Sequence, residues 1–84
     1  MTKKRKGFLL LVDTIGKAFF EEHKDHALFS WGEEEKGLFC FLGISLSPQS
    51  EAVTLSCKAD EWDVFASCYV TDNDIILDSC KLPV

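Results

Sequence analysis

The chain has few basic residues beyond its first six positions. Of nine Lys and Arg in 84 residues, four stand in "MTKKRK". The five that remain face fourteen Asp and Glu, so residues 7–84 carry −9 although the formal net charge is −5. A body this acidic repels phosphate backbones and anionic bilayers and favours basic partners if it favours any. We therefore expect no direct nucleic-acid binding and no membrane binding. Long apolar runs are missing as well. In "KKRKGFLLLVD" the apolar stretch lasts five residues before Asp13, and no small-residue cleavage site follows, so no export signal is legible. No run approaches the ~20 apolar residues of a membrane helix. The expectation is a cytoplasmic protein.

Chemical motifs are equally sparse. Cys40, Cys57, Cys68 and Cys80 are spaced without a Cys-x-x-Cys knuckle, which argues against zinc. The five glycines form no phosphate cradle, and no serine elbow occurs. His23 and His26 in "HKDH" share a helix terminus and read as solvated linker residues before they read as metal ligands. Asp72 and Asp74 in "TDND" have the spacing of a calcium loop but lack its glycine and its closing glutamate. We expect no enzyme, no cofactor and no metal.

Size and hydropathy point to one small globular unit. A chain of this length buries a little over ~60% of its unfolded surface. Residues 1–6 read as a basic flexible tail and 7–84 as a single α+β domain. In residues 7–23 the apolar positions Phe8, Leu11, Val12, Ile15, Ala18 and Phe19 follow the spacing of one helical face. Gly16 interrupts that stripe, and a close approach to a sheet would explain it.

After His26 the period becomes 2. Five strands are predicted, "ALFSWGE", "GLFCFLGISL", "AVTLSCKA", "DVFASCYVT" and "IILDSCKL", joined by short acidic turns, except for "SPQSE", where Pro48 bars a ladder. Short connections imply antiparallel neighbours, so the fold class is one N-terminal helix packed on a five-stranded antiparallel meander. All four cysteines fall on the side of their strands that reads as buried, as reduced core thiols would. A disulfide between Cys57 and Cys68 is the next reading. Asp78 breaks the phase of the fifth strand, because it shares parity with Ile76 and Cys80.

The reverse side of the sheet carries Phe39, Phe41, Phe65 and Tyr69. Four aromatics on one sheet face form a patch of the size that marks an interaction site. The competing reading is that the sheet curls and these rings pack inside. Trp62, between Asp60, Glu61 and Asp63, reads equally as a contact residue on an acidic tip and as a ring folded back over the core. The preferred expectation is a non-enzymatic, acidic protein-interaction module that forms a homodimer or docks a protein partner through the aromatic face. Two further readings belong to other classes. One is an acidic mimic occupying the basic site of a nucleic-acid-binding protein. The other is a small-ligand binder or enzyme with a helix–sheet pocket near His23 and His26.

Overall fold

The computed structural model describes residues 2–46 and 62–83. Helix α1 runs Lys3–Ile15. Thr2 stands before it in extended conformation, and its Oγ1 accepts the N–H of Arg5 at 3.1 Å, satisfying one of the orphan donors of the first turn. The helix therefore takes in Lys3 to Lys6, the run expected as a flexible tail. Four cations at a helix N-terminus oppose the helix dipole. Two of them find local partners, Lys3 with Asp72 at 2.6 Å and Lys4 with its Nζ 3.4 Å above the Trp31 ring.

The single helix expected over 7–23 is two. Gly16 ends α1 with φ +117° and ψ 116°, a conformation that side chains with a Cβ rarely adopt. Its N–H still bonds to the Val12 carbonyl, and its own carbonyl accepts from Phe20, so hydrogen bonding resumes in α2, Lys17–His23. A 3-10 turn, Lys24–His26, leads into the sheet.

Four strands follow, β1 Ala27–Glu34, β2 Gly37–Ile44, β3 Val64–Val70 and β4 Ile75–Lys81. They form one antiparallel sheet in the order β1-β2-β3-β4. The α+β architecture and the antiparallel sheet match the expectation; among the described residues the sheet has four strands, and a second short helix is present. The expected third strand, residues 52–59, lies outside the described residues. Strand β2 pairs directly with β3 from Leu38↔Val70 to Ile44↔Val64.

Opposed residues of an antiparallel ladder point to one face, so the register maps both sides of the sheet. The helix side carries Cys40, Leu42 and Ile44 of β2 and Val64, Ala66, Cys68 and Val70 of β3, all buried. Helix α1 lies over these two strands and contributes Leu11, Val12 and Ile15. Each fully buried aliphatic side chain here contributes about 1.5–3 kcal/mol. Gly7 sets how closely the helix sits, since a Cβ there would stand 2.5 Å from Cys40 Sγ. Phe8 turns toward β1 and meets Phe29 edge-on, with Phe20 of α2 on its other side.

Strand β4 is irregular. Ser67 pairs with Ser79, but the next residue, Cys68, pairs with Leu77, so Asp78 is an extra residue in a bulge. The bulge reverses the parity of the strand. Ile75 and Leu77 stand opposite core residues Val70 and Cys68, Ile76 stands opposite Tyr69, and Cys80 stands opposite Ala66. That resolves why Asp78 looked out of phase.

Candidate interaction surfaces

The reverse face splits into two ends. At one end Phe41 stacks on Phe65 at 5.8 Å, and Trp62 lies 6.1 Å from Phe41. Trp62 is 1% exposed and rests on the β2 backbone, where a Cβ at Gly43 would meet the indole at 2.6 Å. The ring is folded back, so the structure places Trp62 in packing and not on a tip. Its Nε1–H is buried and has no hydrogen-bond partner among the described residues. This end of the face is already covered by its own chain.

At the other end Phe39 and Tyr69 form a tilted pair at 5.1 Å, and both rings are half-buried. The row they occupy runs Gly32, Phe39, Tyr69, Ile76 across all four strands. Gly32 leaves open space beside Phe39, and Ile76 is 56% exposed. The Tyr69 hydroxyl donates to Glu34 at 3.4 Å, and Lys36 Nζ stands 5.5 Å from the ring centroid. Partial desolvation, with the charges of Glu34 and Asp78, pushes the Tyr69 phenol above its ordinary range. Further along, Ser67 Oγ lies 2.8 Å from Ser79 Oγ and donates to Asp78 at 3.3 Å.

Four of the five residues predicted to bind a partner, Phe39, Phe41, Phe65 and Tyr69, thus share one sheet face, with Trp62 laid over part of it. Sequence reasoning found strand β4 but did not count it among the interaction residues. Ile75, Ile76 and Leu77 are 40–56% exposed, and no residue of the strand is buried. The signal was present in "IIL", a run that alternation cannot hide on one face.

The helix side has its own open area. Beyond α1 the sheet continues into β4, where Ile75, Leu77 and Cys80 face the helix layer. A hollow of about 430 Å³ lies there, lined by Lys6, Thr71, Asp72, Asn73, Asp74 and Ile75. On the β1 side a second hollow of about 410 Å³ is lined by Thr2, Lys4, Arg5, Phe8 and Phe29. The acidic turns meet the basic first turn of α1 at this end of the molecule, through Lys3–Asp72 and a cleft shared by Lys3, Glu33 and Glu34. Lys3 holds the Asp72 carboxyl below its ordinary range by hydrogen bond and charge. Such mixed charge gives the phosphate-mimic reading no added support.

The cysteines separate by position. Cys40 and Cys68 are directly opposed, fully buried and hydrogen-bonded to each other as free thiols. Burial, then the neighbouring Cys40, pushes the Cys68 thiol up to about 12, and burial also raises Cys40. A thiol that stays protonated is a poor nucleophile, so the pair behaves as core. Cys80, expected in the core, is exposed because the helix does not reach β4. Cys57 lies outside the described residues. His23 Nδ1 lies 2.9 Å from the Phe19 carbonyl and its ring stacks on Phe19, while His26 is exposed. Among the described residues no three potential metal ligands stand together, and no helix is long and apolar enough to cross a membrane. The chain matches no known family model, no curated protein and no solved structure.

Proposed function

We propose that this chain is a non-enzymatic protein-interaction module. It works by associating, with itself or with a protein partner, through the aromatic reverse face and the apolar strand that continues it. The supporting observation is Ile76. It extends the Phe39–Tyr69 row onto β4, the last strand of the sheet among the described residues, and leaves more than half its own surface in water. A partly exposed apolar row rimmed by Glu34, Lys36 and Asp78 has the make-up of an interface centre with a polar border.

The bulge at Asp78 fits the same reading. Bulges and charges blunt the hydrogen-bonding edge of a strand against indiscriminate pairing. Association is then directed to the faces of β4 and away from its edge.

The test compares wild type with Tyr69→Asp and Ile76→Asp by sedimentation at micromolar concentration and by capture from lysate. Both substitutions fall at partly or largely exposed positions, so circular dichroism should be unchanged. Wild type should exceed its monomer mass of 9.5 kDa, or retain a protein that both variants lose. A wild type that remains monomeric and retains nothing the variants lose would overturn the reading.

A further inference from the structure

Two nucleophilic side chains of the core take no part in the association proposed above. Cys40 of β2 and Cys68 of β3 are opposed in the ladder, both are fully buried, and the Cys68 thiol donates to Cys40. Opposed residues of an antiparallel pair have Cα atoms about 4.5 or 5.5 Å apart, depending on the hydrogen-bonding site they occupy, and a disulfide spans about 4.4–6.8 Å. The backbone already holds the two residues at disulfide separation. Opposed side chains also leave the sheet on the same face, so both sulfurs enter one space.

The cover over that space is α1. Gly7 stands on the pair, since a Cβ there would lie 2.5 Å from Cys40 Sγ and 3.1 Å from its Cβ. Leu11, Val12 and Ile15 complete the layer. Ladder and cover are separate structures. Lifting α1 would bare both sulfurs, while the pairs from Leu38↔Val70 to Ile44↔Val64 keep them together. On its other flank Cys68 faces Leu77, so among the described residues Cys40 is the one thiol directly opposite it.

We propose that Cys40 and Cys68 are a redox-sensitive tie, closed to a disulfide by a peroxide when α1 opens and reopened by a dithiol. With α1 seated, burial keeps both thiols protonated and out of reach. Opening returns them to water, where a thiolate forms more readily. Cys40, which accepts the hydrogen bond from Cys68, is the first to ionise. Its thiolate attacks a peroxide oxygen; the S–O bond forms, the O–O bond breaks, and the departing hydroxide takes a proton to leave as water. The Cys68 sulfur then attacks the sulfenic sulfur; the S–S bond forms, the S–O bond breaks, and a second water leaves with the Cys68 proton. Two thiols and one hydrogen peroxide give one disulfide and two waters. The tie joins β2 to β3 between the rows that carry Phe39 with Tyr69 and Phe41 with Ser67.

The experiment treats the full chain carrying Cys57→Ser and Cys80→Ser with hydrogen peroxide, followed by alkylation, trypsin and mass spectrometry. Cleavage after Lys36, Lys58 and Lys81 leaves Cys40 in residues 37–58 and Cys68 in residues 59–81. These two peptides should appear joined, two hydrogens lighter than their sum, and dithiothreitol should separate them. Wild type cut with chymotrypsin should show the same link with all four cysteines present. Lifting the helix should speed closure: Gly7→Val, or glycine retained at position 7 in urea well below the unfolding midpoint, should raise the rate roughly tenfold. Thiols that stay reduced under peroxide sufficient to oxidise Cys80 in wild type, or that pass to sulfinic acid unlinked, would overturn the tie. So would a wild type that joins Cys68 to Cys57. A rate indifferent to both Gly7→Val and urea would overturn the role of α1 as the gate.

Discussion

Strands β3 and β4 are neighbours of equal length and similar composition, "VFASCYV" and "IILDSCK", and they share no pattern of burial. In β3 five of seven residues are buried; in β4 every residue is exposed. The sequences do not account for the difference, since isoleucine and leucine are at least as apolar as anything in β3. Position does. Helix α1 lies over β3 and stops short of β4, so the same kind of side chain forms core in one strand and open surface in the next. Burial here is a property of the layer above.

The comparison is sharpest in large-to-small substitutions. Leu42→Ala removes a fully buried side chain under α1 and should lower stability by about 2–5 kcal/mol in urea denaturation. Leu77→Ala, on β4, should lower it by less than ~1 kcal/mol in the monomer. Equal losses would mean that β4 is core after all.

Glycines give the next contrast. Gly7→Val drives a side chain into Cys40 and Val70 and should cost about 1–3 kcal/mol or lift α1 off the sheet. A Cβ at Gly32 meets nothing within 4 Å, so Gly32→Val should be neutral or slightly stabilising by the same assay, because valine suits a strand.

The thiols follow the same division. Cys80 should react with a thiol reagent at once, and Cys40 and Cys68 only when the helix layer opens. The sign of the pH effect follows from the raised Cys68 value. Below the ordinary 9.0 the neutral thiol contributes fully. As pH rises from there toward about 12, the unfolded chain ionises and the folded one does not, so stability falls through that window. A Cys68→Ala variant should show a shallower fall in thermal melts.

The smallest effect is at the β3–β4 turn. Asp72 is held ionised by Lys3, so its contribution is present above the ordinary value of 3.8 and is lost as pH falls through its lower folded value. The pair is exposed, and Lys3→Ala should remove that pH dependence with little change at neutral pH. Titrating Asp72 by NMR checks it.

Much of this fold was legible in the chain. Alternation located the four described strands, and short acidic turns gave their antiparallel order. Cys40 and Cys68 were placed in the core by their strand neighbours. Three features were not legible. Periodicity runs through Gly16 with Phe19 in phase, so nothing marked the break except a glycine whose backbone angle sequence does not reveal. The helix start at Lys3 depends on a Thr2 cap against four unfavourable charges, and charge patterning alone reads that run as a tail. Strand parity says which residues share a face, not whether anything lies over it, so the exposure of β4 was out of reach. The aromatic face was legible as a set, whereas its partial cover by Trp62 was not.

The most direct test of the central claim is the mass of the protein with the apolar surface of β4 removed. Sedimentation equilibrium from 1 to 100 µM would compare wild type with Ile76→Asp/Leu77→Asp, which places a charge on each face of that strand. We predict a wild-type mass that climbs with concentration toward twice 9.5 kDa, and a variant that stays at 9.5 kDa with its circular dichroism intact. Two proteins that both hold the monomer mass across the whole range, and that retain the same proteins from lysate, would contradict it.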